Sequence, residues 1–305
     1  MPSRSPKENT YGFIAALAAF VSWGLFPMYW KALASVDPLE ILCNRIVWSL
    51  IFISIVLTFK KRWDETFKSL RSRRDFCILA LSSIVLGFNW LIYIWAVNTN
   101  HILEASLGYF ITPLVNILLG FIVFHERLKP LQLLAIVLAA AGVANSIISY
   151  GEIPWVSLVL AILFALYGLL RKIATVESLP GLFWETLILA PLALLYMTKI
   201  HIDGTSSLFS GNVSIDLLLM GAGAVTSLPL IGFAYGARKL QLTALGLLQY
   251  STPSITFLLG VFVYKETFGP SHLLTFGLIW AGLAIYSFES LWPLKKHQQH
   301  LNKTP

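Results

Sequence analysis

Ten apolar runs, each about as long as a helix must be to cross a bilayer, constrain this chain more than any other feature. They fall at about residues 11–30, 40–59, 76–97, 104–124, 131–149, 154–170, 180–198, 215–236, 243–264 and 271–290. Ten crossings of about 20 residues take about 200 residues, which leaves two tails and nine short connections and no room for a soluble domain. Charge agrees: 12% of the 305 residues are charged, against about 25% in an ordinary soluble domain. The expectation is an all-α polytopic membrane protein with ten transmembrane helices. A hydrophobic content of 57% excludes disorder, and two cysteines exclude a disulfide scaffold. Cys43 and Cys77 start successive spans from opposite sides, so no bond between them is expected.

The net charge of +7 sets orientation. With the N-terminus inside, the inner tails and loops collect Arg4, Lys7, seven cations from Lys60 to Arg74, Arg127, Lys129, Arg171, Lys172, Arg238, Lys239, Lys295, Lys296 and Lys303, which is 18 of the 22. Lys31, Lys199 and Lys265 fall outside and Arg45 lies within span two, so both termini are expected in the cytoplasm. Little basic surface remains for nucleic acid, and none is expected as a partner. The first run is long enough to span, and with nine more behind it reads as an uncleaved signal-anchor. Between Lys60 and Asp75, Trp63, Phe67 and Leu70 recur at helical spacing among the cations. That pattern fits an amphipathic helix on the inner leaflet and a solvated, orienting loop equally well.

The two halves share a register. Leu107, Thr112, Pro113, Leu118, Leu119, Gly120, Glu126, Pro130, Leu134 and Gly142 recur at one constant offset as Leu247, Thr252, Pro253, Leu258, Leu259, Gly260, Glu266, Pro270, Leu274 and Gly282. Proline, glycine and glutamate in a fixed frame identify a repeat better than shared leucines do. Residues 1–149 and 150–290 therefore read as two five-helix units, followed by a basic tail at 291–305. Five is odd, so the second unit enters from the opposite side, making an inverted repeat of the kind that recurs in secondary transporters, with the substrate site between the halves.

Four blocks carry a resemblance: Trp23-Gly24-Leu25-Phe26-Pro27, Glu40-Ile41-Leu42-Cys43-Asn44-Arg45, Asn89-Trp90-Leu91-Ile92-Tyr93-Ile94-Trp95-Ala96-Val97-Asn98 and Leu103-Glu104-Ala105-Ser106-Leu107-Gly108-Tyr109-Phe110. Together they closely resemble the RarD family, within the EamA branch of the drug/metabolite transporter superfamily, over essentially the whole chain. The resemblance implies a bacterial inner-membrane permease with cytoplasmic termini. It also implies a cavity lined by spans one, three, four, six, eight and nine, with spans five and ten peripheral and sometimes at a homodimer contact. The family name is associated with chloramphenicol sensitivity or resistance, which fixes no physiological substrate. The second half departs from the first, with Pro229 and Leu230 opposite Asn89 and Trp90, so ligand contacts are expected to be asymmetric.

Candidate site residues follow from polarity at membrane depth. Asn89, Trp90, Tyr93, Tyr109 and Asn116 in spans three and four offer ring faces with a few donors and acceptors, suited to an amphipathic organic solute. Tyr167, Gln249 and Tyr250 are the second-half candidates. Tyrosines and amides also serve interfacial belts and helix contacts. Among ionisable residues, Arg45 is expected to pair with Glu104 near the outer face, and Glu185 with Arg171 or Arg238 near the inner one, as a gate or a static pair. Glu126 and Glu266 read as loop anchors, and His101 as an exposed loop residue. No H-E-x-x-H, G-x-S-x-G, P-loop or C-x-x-C occurs, so a non-enzyme without cofactor or metal is expected. The function expected is secondary transport of a small organic solute; an intramembrane enzyme or lipid-handling protein and a channel are the alternatives.

Overall fold

A computed structural model describes residues 6–98, 102–150, 155–263, 270, 273–282, 284–285 and 288–289, all as helix or connection. The helices are α1 (Pro6–Lys31), α2 (Pro38–Phe59), α3 (Trp63–Lys68), α4 (Arg73–Asn98), α5 (Ile102–Phe124), α6 (Pro130–Tyr150), α7 (Trp155–Ile173), α8 (Ser178–Ile202), α9 (Val213–Lys239), α10 (Leu242–Gln249) and α11 (Ser251–Phe262), with α12 at Leu273–Gly282. Seven of them, α1, α2, α4 and α6 to α9, are long and apolar enough to cross a bilayer, while Gly108–Phe124 of α5 and α12 are shorter apolar helices. This is a multi-pass membrane protein.

Local chemistry sets the helix boundaries. Asp37 caps α2 by accepting from the amides of Leu39 and Glu40, with Pro38 in the first turn, and Asn212 caps α9 through Ser214 and Ile215. Glu126 reaches across from the end of α5 to cap α10, accepting from the Leu242 and Thr243 amides at 2.8 and 3.0 Å and from the Thr243 hydroxyl at 2.7 Å. The glutamate side chain thus anchors another helix rather than its own loop; Glu266 lies outside the described residues. Prolines interrupt helix interiors at Pro27, Pro113, Pro191 and Pro229.

Span nine, expected as one helix, is two. Pro253 has no amide to give the carbonyl of Gln249, and the chain tightens there instead, the Tyr250 amide donating to Leu247 at 3.2 Å. The cationic connector forms α3 and a 3₁₀ turn at Ser69–Arg71. Its aromatic face docks on α8: Trp63 meets Phe183 and Phe67 meets Trp184, with ring centroids 5.2 and 5.9 Å apart. The Trp184 indole also donates to Thr66 O at 3.1 Å.

Packing exchanges under a swap of halves: α1 packs on α9 as α7 does on α4, α5 on α7 as α11 on α1, while α2 meets α8 and α5 meets α10 across the middle. At one end of the bundle Arg62 pairs with Glu177 at 2.6 Å, the Thr175 hydroxyl donates to Asp75 at 2.7 Å, and Arg238 donates to Thr175 O. At the other end Glu40 accepts from Ser206, Ser207 and Leu208. Between them Phe20, Trp23, Phe164, Tyr167 and Phe233 stack from α1, α7 and α9 into a core. Both cysteines are free, Cys43 buried and Cys77 exposed.

Candidate functional site

Arg45 organises one polar and aromatic cluster. It stands one to two turns into α2, held where Gly223 lets α9 come against the α2 backbone at Trp48 and Ser49. Arg45 Nε donates to Thr226 Oγ1 of α9 at 3.0 Å. The guanidinium carbon sits 4.8 Å from the ring centre of Trp30 in α1 and 5.0 Å from that of Trp90 in α4, contacts that hold a cation without neutralising it. Tyr93 and Tyr109, 6.5 Å apart in an edge-on pair, lie within electrostatic range of it. Both rings are exposed, at 38% and 44%. Two shallow grooves of about 530 and 320 Å³ lie elsewhere, along Leu50–Phe59 of α2 and Leu195–Asp203 beside α8. Each is walled by a single stretch of helix and cannot enclose a solute.

A second cluster surrounds Glu185 towards the opposite end. Glu185 and Arg171 are 1% and 0% exposed and approach to 3.5 Å. Ser82 of α4 donates to Glu185 Oε1, and Tyr167 lies 3.4 Å from Oε2. The Arg171 guanidinium also faces the carbonyls of Glu177 and Ser178, in space left by Gly181. This layer is closed and joins α4, α7 and α8. Arg238, the other expected partner of Glu185, donates to Thr175 O instead.

The remaining candidates separate by environment. Asn116 and Gln249 are buried and bond each other at 2.9 Å, tying α5 to α10. Asn89 donates to Leu160 O of α7, and Tyr167 and Tyr250 are fully buried. Trp90, Tyr93 and Tyr109 thus gather round Arg45, whereas Asn116, Tyr167, Gln249 and Tyr250 are internal. The side chain of Glu104 and all of His101 lie outside the described residues. Sequence reasoning missed Trp30, Thr226 and Ser82; Trp30 had a usable signal as the last aromatic of span one, on the side where Arg45 enters. Among the described residues no group of three or more His, Cys, Asp or Glu could hold a metal.

A helical bundle with a polar, aromatic wall between apolar helices defines a membrane transporter class, and comparison with known proteins gives the family. The chain belongs to the EamA-like transporter family, which matches it twice, over residues 10–148 and 153–288, and so to the drug/metabolite transporter superfamily. It is 42% identical over 290 residues to the protein named RarD of Salmonella typhi, covering 95% of this chain and 99% of that one. It is 44% identical over 295 residues to the uncharacterized transporter YojE of Bacillus subtilis, covering 93% and 96%. A solved crystal structure of a protein at 17% identity superposes with a TM-score of 0.71 over 90% of this chain and 96% of the other, a likeness of fold.

Proposed function

We propose that this chain is a secondary transporter that moves a small organic solute across the bacterial inner membrane by alternating access between two inverted five-helix halves. The observation that carries the reading is the contrast between the two clusters. The cluster of Trp30, Arg45, Trp90, Tyr93, Tyr109 and Thr226 draws on both halves and leaves Tyr93 and Tyr109 exposed, whereas the Glu185–Arg171 layer is buried. A partly exposed layer and a buried one on either side of an aromatic core fit one state of an alternating-access cycle. The exchange of packing partners under a swap of halves, and the double family match, support residues 1–149 and 150–290 as the repeated units.

Orientation follows from charge. Arg62, Arg171, Lys172, Arg238 and Lys239 belong to the end with the Glu185 layer, so that end faces the cytoplasm and the Arg45 wall opens outward. α6 and α12, at the edge of the bundle, are the surface on which a second copy would dock. The test is purified protein in proteoliposomes loaded with a mixed solute pool. Saturable entry with exchange of label against unlabelled solute is expected. Flux that rises linearly without saturation makes the protein a channel and ends the alternating-access reading. A deletion and overexpression pair, screened for changed tolerance and uptake over metabolites and antibiotics including chloramphenicol, then narrows the solute.

A further inference from the structure

We propose that Arg45 is the anion anchor of the transport site and that the solute is an organic anion, a carboxylate on an aromatic or otherwise flat apolar body. This rests on the transporter reading above and adds the chemistry of the substrate. The guanidinium carries five N–H donors in a rigid fork. Nε is spent on Thr226, and that is the sole hydrogen bond of Arg45 to a described residue. No described residue bonds the Nη1 and Nη2 edge, the parallel pair of donors that a carboxylate accepts with both oxygens.

The surroundings favour filling that edge from solution. The Trp30 and Trp90 rings stabilise the cation through their faces but accept no hydrogen bond from its edge. Thr226 is neutral, and Tyr93 and Tyr109 are phenols. An arginine among rings with a free fork binds an anion more strongly than a neutral solute, because the charge is only partly solvated there. The indole and phenol surfaces then cover the apolar body at ring-contact distances. The second half offers no equivalent: its register partner, Glu185, is already satisfied by Arg171, Ser82 and Tyr167. One anion per transport cycle at one half's anchor is the consequence.

The experiment compares matched pairs, phenylacetate against phenylacetamide and indole-3-acetate against indole-3-acetamide. Binding to detergent-purified protein is read from tryptophan fluorescence and from the shift of the thermal midpoint. The carboxylates are expected to bind at least tenfold more tightly than their amides. Arg45→Gln erases that preference, Arg45→Lys keeps part of it because charge remains while the fork is lost, and Thr226→Val weakens it. Arg45→Lys serves as the folded control should Arg45→Gln not insert. Equal affinity for acid and amide in the wild type overturns the inference. So does a carboxylate preference that appears only in Glu104→Gln, since the glutamate would then fill the fork. Arg45-dependent binding without uptake into proteoliposomes leaves the anion site standing and refutes transport. Saturable uptake indifferent to carboxylate does the reverse.

Discussion

Gly142 and Gly282 let α6 and α12 cross antiparallel, each against a backbone carbonyl of the other helix. A Cβ on Gly142 would lie 2.9 Å from the carbonyl oxygen of Thr275, and one on Gly282 would lie 2.7 Å from that of Ala135. Thr275 follows Ala135 by the same offset that separates the two glycines, so the inverted repeat proposed above makes one contact the image of the other under a two-fold rotation. On that proposal the axis, perpendicular to both antiparallel helices, lies in the membrane plane. Gly142→Leu and Gly282→Leu are therefore expected to destabilise the protein by similar amounts, about 1–3 kcal/mol from overpacking, measured by thermal unfolding in detergent. A neutral outcome at one glycine and a large loss at the other contradicts the shared axis.

The buried Glu185–Arg171 pair predicts non-additive losses. Removing one charge leaves the other unpaired and should cost about 3–5 kcal/mol, whereas replacing both by apolar side chains should be nearly neutral for folding. Thermal unfolding of Glu185→Leu, Arg171→Leu and the double variant tests this. Simple addition of the two single losses would dismiss the pairing.

Glu126 predicts an effect on a helix to which it does not belong. Glu126→Gln keeps the size of the side chain but removes the charge and one acceptor at the start of α10, an expected loss of about 1–2 kcal/mol. Thr243→Val should give a smaller loss in the same direction. Hydrogen exchange at Leu242 and Thr243 should quicken in both variants while α4 stays unchanged.

The connector after α2 predicts an acid response. The Arg62 guanidinium, bonded to Glu65 and Glu177, is held well above its ordinary value by them, and the same bond holds the Glu65 carboxyl below its ordinary 4.5. A depressed carboxyl stabilises the folded form above its unfolded titration point, and that contribution disappears as pH falls through the lower, folded one. Protease nicking between Lys60 and Asp75 should therefore increase as pH drops below about 4. Arg62→Gln should nick readily at neutral pH and lose this acid step.

Orientation is tested by reporters. Alkaline phosphatase fused after Asp203 should be active, and a fluorescent protein fused after Pro305 should glow. An active phosphatase at Pro305 would invert the assignment of the two ends.

Helix content and the apolar runs were legible in the sequence because the bilayer imposes them residue by residue. Prolines and glycines at a constant offset read as two related segments, since backbone approach leaves little choice of side chain. What was not legible is which polar side chains face each other. Asn116 and Gln249 looked like cavity residues because polarity at depth is ambiguous, and only the α5 and α10 crossing turns them towards one another. Gly181 could have been read as room for Arg171, but a glycine by itself does not name its occupant. The connector was undecided from sequence because its aromatic stripe suits lipid and protein equally; the rings of Phe183 and Trp184 decide it.

The interior prolines leave one further mark. A proline gives no amide to the carbonyl four residues before it, so the oxygens of Trp23, Tyr109, Leu187, Val225 and Gln249 are released from their helical ladders by Pro27, Pro113, Pro191, Pro229 and Pro253. Two of these, Tyr109 and Gln249, are again counterparts in the two halves. The released oxygens are partial negative charges fixed in backbone that no substitution at their own positions can delete. Such oxygens repel an anion and attract a cation or a hydroxyl, so this bundle carries a background polarity that its side-chain chemistry has to work against.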